Sequence, residues 1–185
     1  MVRPPFNVLF LCTGNSARSI LGEALLNRLG AGRFVAYSAG SFPKGQVNSR
    51  ALALLRDLDF PTEGLRSKSW DEYAKPDAPV MDFILTVCDE AANDIQPIWP
   101  GNPVTAHWGV PDPAAEDGNE TLRNRAFLRA FHTLKHWITA LLSLPLEQLD
   151  QEAQEGLLRM IGDPEHIDLD GPEGWLSARE LFDRQ

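Results

Sequence analysis

The chain has 185 residues, of which 43% are hydrophobic and 23% charged, with a formal net charge of -9 and two cysteines, Cys12 and Cys88. That composition suits one domain with a substantial core and room for an appendage. The acidic balance argues against a nucleic-acid binder, and two cysteines without CxxC spacing or a Cys/His cluster argue against a disulfide scaffold or a structural zinc site.

The acidity is uneven. Residues 145–185 hold eleven Asp and Glu against Arg159, Arg179 and Arg184, a balance of -8, which leaves about -1 on residues 1–144. We therefore read residues 1–144 as the functional domain and 145–185 as an acidic C-terminal extension. The apolar run from Phe6 to Leu11 is too short to cross a bilayer, and no small-residue cleavage site follows it. The expectation is a cytoplasmic chain with reduced thiols, no membrane contact and no bound metal.

Val8-Leu9-Phe10-Leu11 has the pattern of a strand buried on both faces. A polar turn follows, and then Ile20, Leu21, Ala24, Leu25 and Leu29 recur at helical spacing up to Gly30. Phe34–Tyr37 predicts a second strand. Val47–Leu58 predicts a helix whose inward stripe is Ala51, Leu54, Leu55 and Leu58. Phe83–Val87 is a third buried strand, delivering Cys88 at its carboxyl end. Residues 93–118 are rich in Pro, Gly and Asp and read as loop, with a short strand near Val104. Residues 120–143 give the clearest helix, with the seam Phe127, Phe131, Leu134, Ile138 and Leu141. Beyond Pro145, Leu146–Ile161 and Trp175–Phe182 predict two acidic helices packing through Leu149, Leu157, Leu158 and Leu181. Strands alternating with helices imply an α/β fold, a parallel sheet with helices on both faces.

Ligands bind beyond the carboxyl ends of the strands in such a sheet. Cys12 stands there, followed by Thr13-Gly14-Asn15-Ser16-Ala17-Arg18-Ser19 and a helix. Backbone N–H groups of such a loop and of the helix start converge on an anion, and Arg18 adds a planar fork for two of its oxygens. The same field is expected to lower the thiol of Cys12, with Ser16 or Ser19 donating to the sulfur and Asn15 fixing the loop.

The stretch from Val8 to Ser19 resembles the phosphate loop of the low-molecular-weight protein tyrosine phosphatase superfamily. Ser38-Ala39-Gly40, Ser67-Lys68-Ser69-Trp70 and Ala106-His107-Trp108-Gly109-Val110-Pro111-Asp112-Pro113-Ala114 are similar to its arsenate reductase branch. The resemblance runs over approximately residues 6–144. It implies a flavodoxin-like fold, with Cys12 as nucleophile, Arg18 as oxyanion clamp and Asp112 as general acid. Thr13 to Ser19 would hold the oxyanion. Asn15 and Glu23 match positions that form a potassium site in some relatives.

Attack on arsenate gives a thiol–arsenate adduct from which a second thiol expels arsenite, whereas a cysteinyl phosphate is hydrolysed by water. Cys88 is either that second thiol or a small buried residue ending a strand. Relatives with a second cysteine in this segment commonly carry a third, just ahead of the stretch that reads Pro97-Ile98-Trp99-Pro100-Gly101 here, and this chain lacks it. The resemblance therefore implies an external thiol reductant: glutaredoxin with glutathione, thioredoxin or another low-molecular-weight thiol. Ala114 and Ala115 stand where phosphotyrosine enzymes usually carry rim aromatics, which favours a small inorganic substrate. Two alternatives remain: a phosphatase acting on phosphate monoesters, and a non-catalytic oxyanion binder. His132 and His136 read as a polar helix face, and His107, five residues before Asp112, reads as a histidine packed beside Trp108 ahead of one that orients the acid loop.

Overall fold

The computed structural model describes residues 4–163. Its four strands are β1 (Phe6–Cys12), β2 (Phe34–Gly40), β3 (Phe83–Thr86) and β4 (Val104–His107). They form one parallel sheet in the order β2-β1-β3-β4. The helices are α1 (Arg18–Leu29), α2 (Ser49–Asp57), α3 (Asp89–Asn93), α4 (Glu120–Ser143) and α5 (Gln151–Gly162). From β1 the chain crosses to β2 on one side and then to β3 on the other. The carboxyl ends of β1 and β3 thus flank the switch point where doubly wound sheets bind ligands.

Alternation along β1 divides the core in two. Val8, Phe10 and Cys12 join a large cluster with Ile20, Leu21 and Leu25 of α1 and Phe127, Phe131, Leu134 and Ile138 of α4. Leu9 and Leu11 face the other way, onto Ala39, Ile84, Tyr73 and Met81. That second face is covered more thinly, by the helical turn Trp70–Glu72 and the loops around it. Every residue of the expected α4 seam is buried.

Three local expectations need correction. The helix from Val47 is shorter, because Asn48 caps it by accepting from the Arg50 N–H; Ala51 and Leu55 are buried, Leu54 only in part, and Leu58 is 37% exposed. The segment from Leu146 is not one helix. A helical turn (Leu146–Gln148) precedes α5, which starts afresh where Asp150 accepts from the Ala153 N–H. Helix α3 was not anticipated. The second acidic helix, with Leu181, lies outside the described residues.

Helix α5 packs on β4. The indole of Trp108, fully buried against Trp137 and Phe10, donates to the Leu158 carbonyl at 2.9 Å. The approach is so close that a Cβ on Gly162 would lie 2.4 Å from Trp108 Cδ1 and 2.5 Å from the His107 carbonyl oxygen. Helix α5 thereby props the strand end that leads to Asp112. Among the described residues no helix is long and apolar enough to cross a membrane. Gly162→Val is expected to destabilise the fold by about 1–3 kcal/mol through overpacking. Urea unfolding reads this as a lower midpoint, and an unchanged midpoint would refute the close packing of α5 on β4.

Candidate oxyanion site

The loop between β1 and α1 is anchored from outside by its carbonyls. Thr13 O accepts from the Phe42 N–H and Gly14 O from the Lys44 N–H, each at 2.9 Å; Ser16 O accepts from the Asn48 N–H, also at 2.9 Å. Since C=O and N–H of a trans peptide point opposite ways, the N–H groups of Gly14, Asn15 and Ala17 turn to the concave side. One of them, from Asn15, donates to Cys12 Sγ at 3.2 Å.

Asn15 is the key of this loop. Its φ is +40°, a left-handed conformation that Asn tolerates better than most residues. Its side chain is fully buried, and Oδ1 accepts from the Lys68 N–H at 2.8 Å. That bond fixes the amide's orientation, so Nδ2 donates to Ser19 Oγ and Ser38 Oγ, both at 2.9 Å. The Ser38 hydroxyl donates in turn to Glu23 Oε2. Ser19 Oγ, already accepting from Asn15, keeps its own hydrogen for Cys12 Sγ, 2.9 Å away. The network's polarity thus aims a hydroxyl donor at the sulfur.

Lys68 closes the network from behind, its ammonium 3.6 Å from Glu23 Oε2 and donating to the Arg66 carbonyl at 3.1 Å. Burial raises the Glu23 carboxyl and lowers the Lys68 ammonium from their ordinary values, while each partner's charge opposes the shift. Among the described residues no group of three or more His, Cys, Asp or Glu is arranged to hold a metal ion. The positions matched to a potassium site carry the Lys68 ammonium beside Glu23.

Burial also pushes the Cys12 thiol up, and this is its largest influence. The Ser19 hydrogen bond and the Arg18 charge pull it down without balancing that effect. The expectation of a thiol lowered by the loop is corrected: a nearly enclosed sulfur loses more hydration than its donors return.

Arg18, the first residue of α1, donates to the Val110 carbonyl at 3.0 Å and lies 3.6 Å from Asp112 Oδ2. It therefore links the loop to the segment that carries Asp112. The two oxygens of Asp112 divide their work: Oδ1 caps the turn Pro113–Ala115 through the Ala114 N–H, and Oδ2 faces the guanidinium. Asp112 thus forms a turn and stands beside Arg18 at the same time. The flanking rim carries Phe42, 73% exposed and bonded through its backbone to Thr13.

Cys88 stands two residues beyond the end of β3. The β1–β3 register and the Val87 N–H bond to the Leu11 carbonyl bring it alongside the loop. Its sulfur accepts from the Thr13 N–H at 3.3 Å and caps α3 through the Ala91 N–H at 3.4 Å. Both thiols are free and buried. Cys12, Thr13–Ser19, Cys88 and Asp112 all gather at the carboxyl ends of β1 and β3. Sequence reasoning missed roles for Lys68 and Ser38, although both stand inside the matched motifs. It also misread His107, whose ring is 41% exposed and pairs with Asp89 instead of packing beside Trp108.

Fold and site together define a class: α/β proteins with a Cys-to-Arg loop between the first strand and the first helix. The model of the low molecular weight phosphotyrosine protein phosphatase family matches residues 7–155, and the chain belongs to that family. It is 32% identical over 118 residues to an arsenate reductase of Staphylococcus xylosus, covering 64% of this chain and 86% of the relative. It is 32% identical over 122 residues to another from Halalkalibacterium halodurans, covering 66% and 84%. A solved arsenate reductase from Archaeoglobus fulgidus superposes with a TM-score of 0.55 at 29% identity, over 71% of this chain and 98% of that one.

Removing the Ser19 hydroxyl takes away the strongest influence that lowers the Cys12 thiol. Ser19→Ala is expected to move the pH dependence of Cys12 alkylation to higher pH and to slow it about ten-fold near neutrality. Iodoacetamide labelling of Cys12 across pH, in a Cys88→Ser background, tests this. An unshifted profile would mean that the hydroxyl does not serve the sulfur.

Proposed function

We propose that the chain is a thiol-dependent arsenate reductase with Cys12 as nucleophile, Arg18 as oxyanion clamp, Asp112 as general acid and Cys88 as second thiol. The observation that carries the reading is the contact of Cys88 Sγ with the Thr13 N–H, one residue from Cys12 and across the switch point of the sheet. The arsenate reductases among the relatives lend support.

In this reading the N–H groups from Gly14 to Ser19 and the Arg18 guanidinium receive three arsenate oxygens, the Thr13 N–H being taken up by Cys88 Sγ. Cys12 Sγ attacks arsenic opposite an As–OH group. Asp112 gives that oxygen a proton, and it leaves as water; the thiol proton of Cys12 then replaces the one that Asp112 gave up. The step condenses one thiol and one As–OH into an S–As bond and one water.

Cys88 then attacks Cys12 Sγ. The S–S bond forms, the S–As bond breaks with its electron pair staying on arsenic, and the Cys88 thiol proton passes to an arsenic-bound oxygen; arsenic falls from As(V) to As(III) and departs as arsenite. Two thiols have become one disulfide, and an external dithiol or two equivalents of a small thiol reduce it. Glutaredoxin with glutathione, thioredoxin and another low-molecular-weight thiol are the reductant classes proposed, with no bound cofactor. Such turnover requires a reducing compartment, so we assign the chain to the cytoplasm. The chemistry is assigned to residues 1–144, with 145–185 as the extension whose α5 buttresses Trp108.

A second reading, hydrolysis of phosphate monoesters through a cysteinyl phosphate, draws support from the family and from Phe42, an exposed aromatic at the loop rim. Steady-state arsenite release and aryl-phosphate hydrolysis separate the two. Cys12→Ser is expected to abolish both, and Cys88→Ser to reduce arsenite release at least 100-fold while sparing ester hydrolysis. Arsenite release at the wild-type rate from Cys88→Ser would sink the two-cysteine relay, and ester hydrolysis alone from the wild type would leave the phosphatase.

A further inference from the structure

We propose that His107 is a positioning residue for Cys88, acting through Asp89; the proposal rests on the two-cysteine reading above. His107 ends β4 and pairs in register with Thr86, which ends β3. Its Nδ1 lies 2.9 Å from Thr86 Oγ1, and its Nε2 lies 2.9 Å from Asp89 Oδ1. An ionised Asp89 only accepts, so Nε2 carries the hydrogen; in the neutral ring Nδ1 then accepts from the Thr86 hydroxyl. One imidazole thereby fastens both sides of the two-residue stretch Val87–Cys88.

What this fastening governs is the direction of the Cys88 sulfur. Cys88 leaves the strand in an extended conformation (φ -144°, ψ 151°), and its Sγ caps α3 while accepting from the Thr13 N–H. Asp89 is the first residue of α3. Holding Asp89 to the end of β4 fixes where α3 begins, and so which way the thiol points. Gly109 makes room for the pair: a Cβ there would lie 3.0 Å from His107 Nε2 and 3.3 Å from Asp89 Oδ1. The pair therefore lies against the backbone that continues through Val110, the acceptor of Arg18, to Asp112. It joins the second-thiol segment to the segment of the proposed acid.

The side chains of His107 and Asp89 are 41% and 82% exposed, so the pair contributes little to global stability. Its effect is local. It acts on the attack of Cys88 on Cys12 Sγ, which needs the incoming sulfur aligned with the breaking S–As bond, and not on the first attack on arsenic. No electron or proton is routed through His107.

The test is acid-quenched single turnover of the full chain with excess arsenate, counting Cys12–Cys88 disulfide against time. His107→Ala and Asp89→Ala are each expected to slow its formation about three- to ten-fold, the range for losing one hydrogen bond. The double variant is expected to lose no more than either single one, and Asp89→Asn, which keeps the acceptor, to recover most of the rate. Alkylation of Cys12 in the Cys88→Ser background is expected to be unmoved by His107→Ala. In the Cys12→Ser background, Cys88 is expected to be alkylated faster once His107 is replaced. That readout needs no arsenate chemistry. Wild-type disulfide rates in His107→Ala, additive losses in the double variant, or unchanged Cys88 labelling would each overturn the positioning role. Absence of the disulfide in the wild type itself would overturn the two-cysteine reading, and the proposal with it. That failure is distinguishable because it precedes any substitution.

Discussion

β1 is paired in parallel on both sides, with β2 along its whole length and with β3 from Val8 to Leu11. This double pairing is the constraint on which the rest depends. It fixes Cys12 opposite Gly40 and brings Cys88 level with the first residues of the loop. Beyond that pairing, the segments after β2 and β3 stay beside the loop, through Phe42 and Lys44 on one side and Cys88 on the other. The chain must enter a tight loop at that point, and the left-handed Asn15 is the means.

Within that frame, the electrostatics of the site are a contest between burial and donors. Cys12 is enclosed by Ala17, Ile20 and the sheet, which favours the neutral thiol, while Ser19, the Asn15 N–H and Arg18 favour the anion. Behind the loop the contest repeats in Glu23 and Lys68, two buried groups that each lose solvation and each regain part of it from the other. An isolated charge at either position would be costly. As a pair joined to Ser38 and Asn15, they place a polar anchor under the loop without leaving net charge there. The site is thus held by hydrogen-bond polarity more than by ion pairing.

Much of this was legible in the residues. The buried run Val8–Leu11, the helical stripe after it and the α4 seam follow from side-chain periodicity, which any arrangement of the core must satisfy. Cys12 and Arg18 were visible because a strand, a small polar loop and a helix are contiguous in sequence. What escaped were features set by distant segments. Helix α3 has five residues and exists because a cysteine sulfur caps it, a cap for which sequence offers no strong signal. Lys68 sits 53 residues from Asn15, and its burial depends on Glu23, not on its neighbours. The thiol's direction of shift was misjudged for the same reason: local donors can be read from the loop, but the loss of water depends on what packs above it. His107 was misread because its partner, Asp89, belongs to the unforeseen helix.

The attachments of the loop also bear on how the protein acquires its reactive sulfur. Thr13, Gly14, Asn15 and Ser16 are tied to Phe42, Lys44, Lys68 and Asn48, and Thr13 to Cys88. None of these bonds is local, so each requires closure of a chain segment of some 30 to 75 residues before it can form. β1 itself pairs with segments 28 and 75 residues away, so the donors reach the Cys12 sulfur only as the sheet assembles. Until its distant segments dock, the chain carries an ordinary thiol, with no cradle to draw an oxyanion towards it.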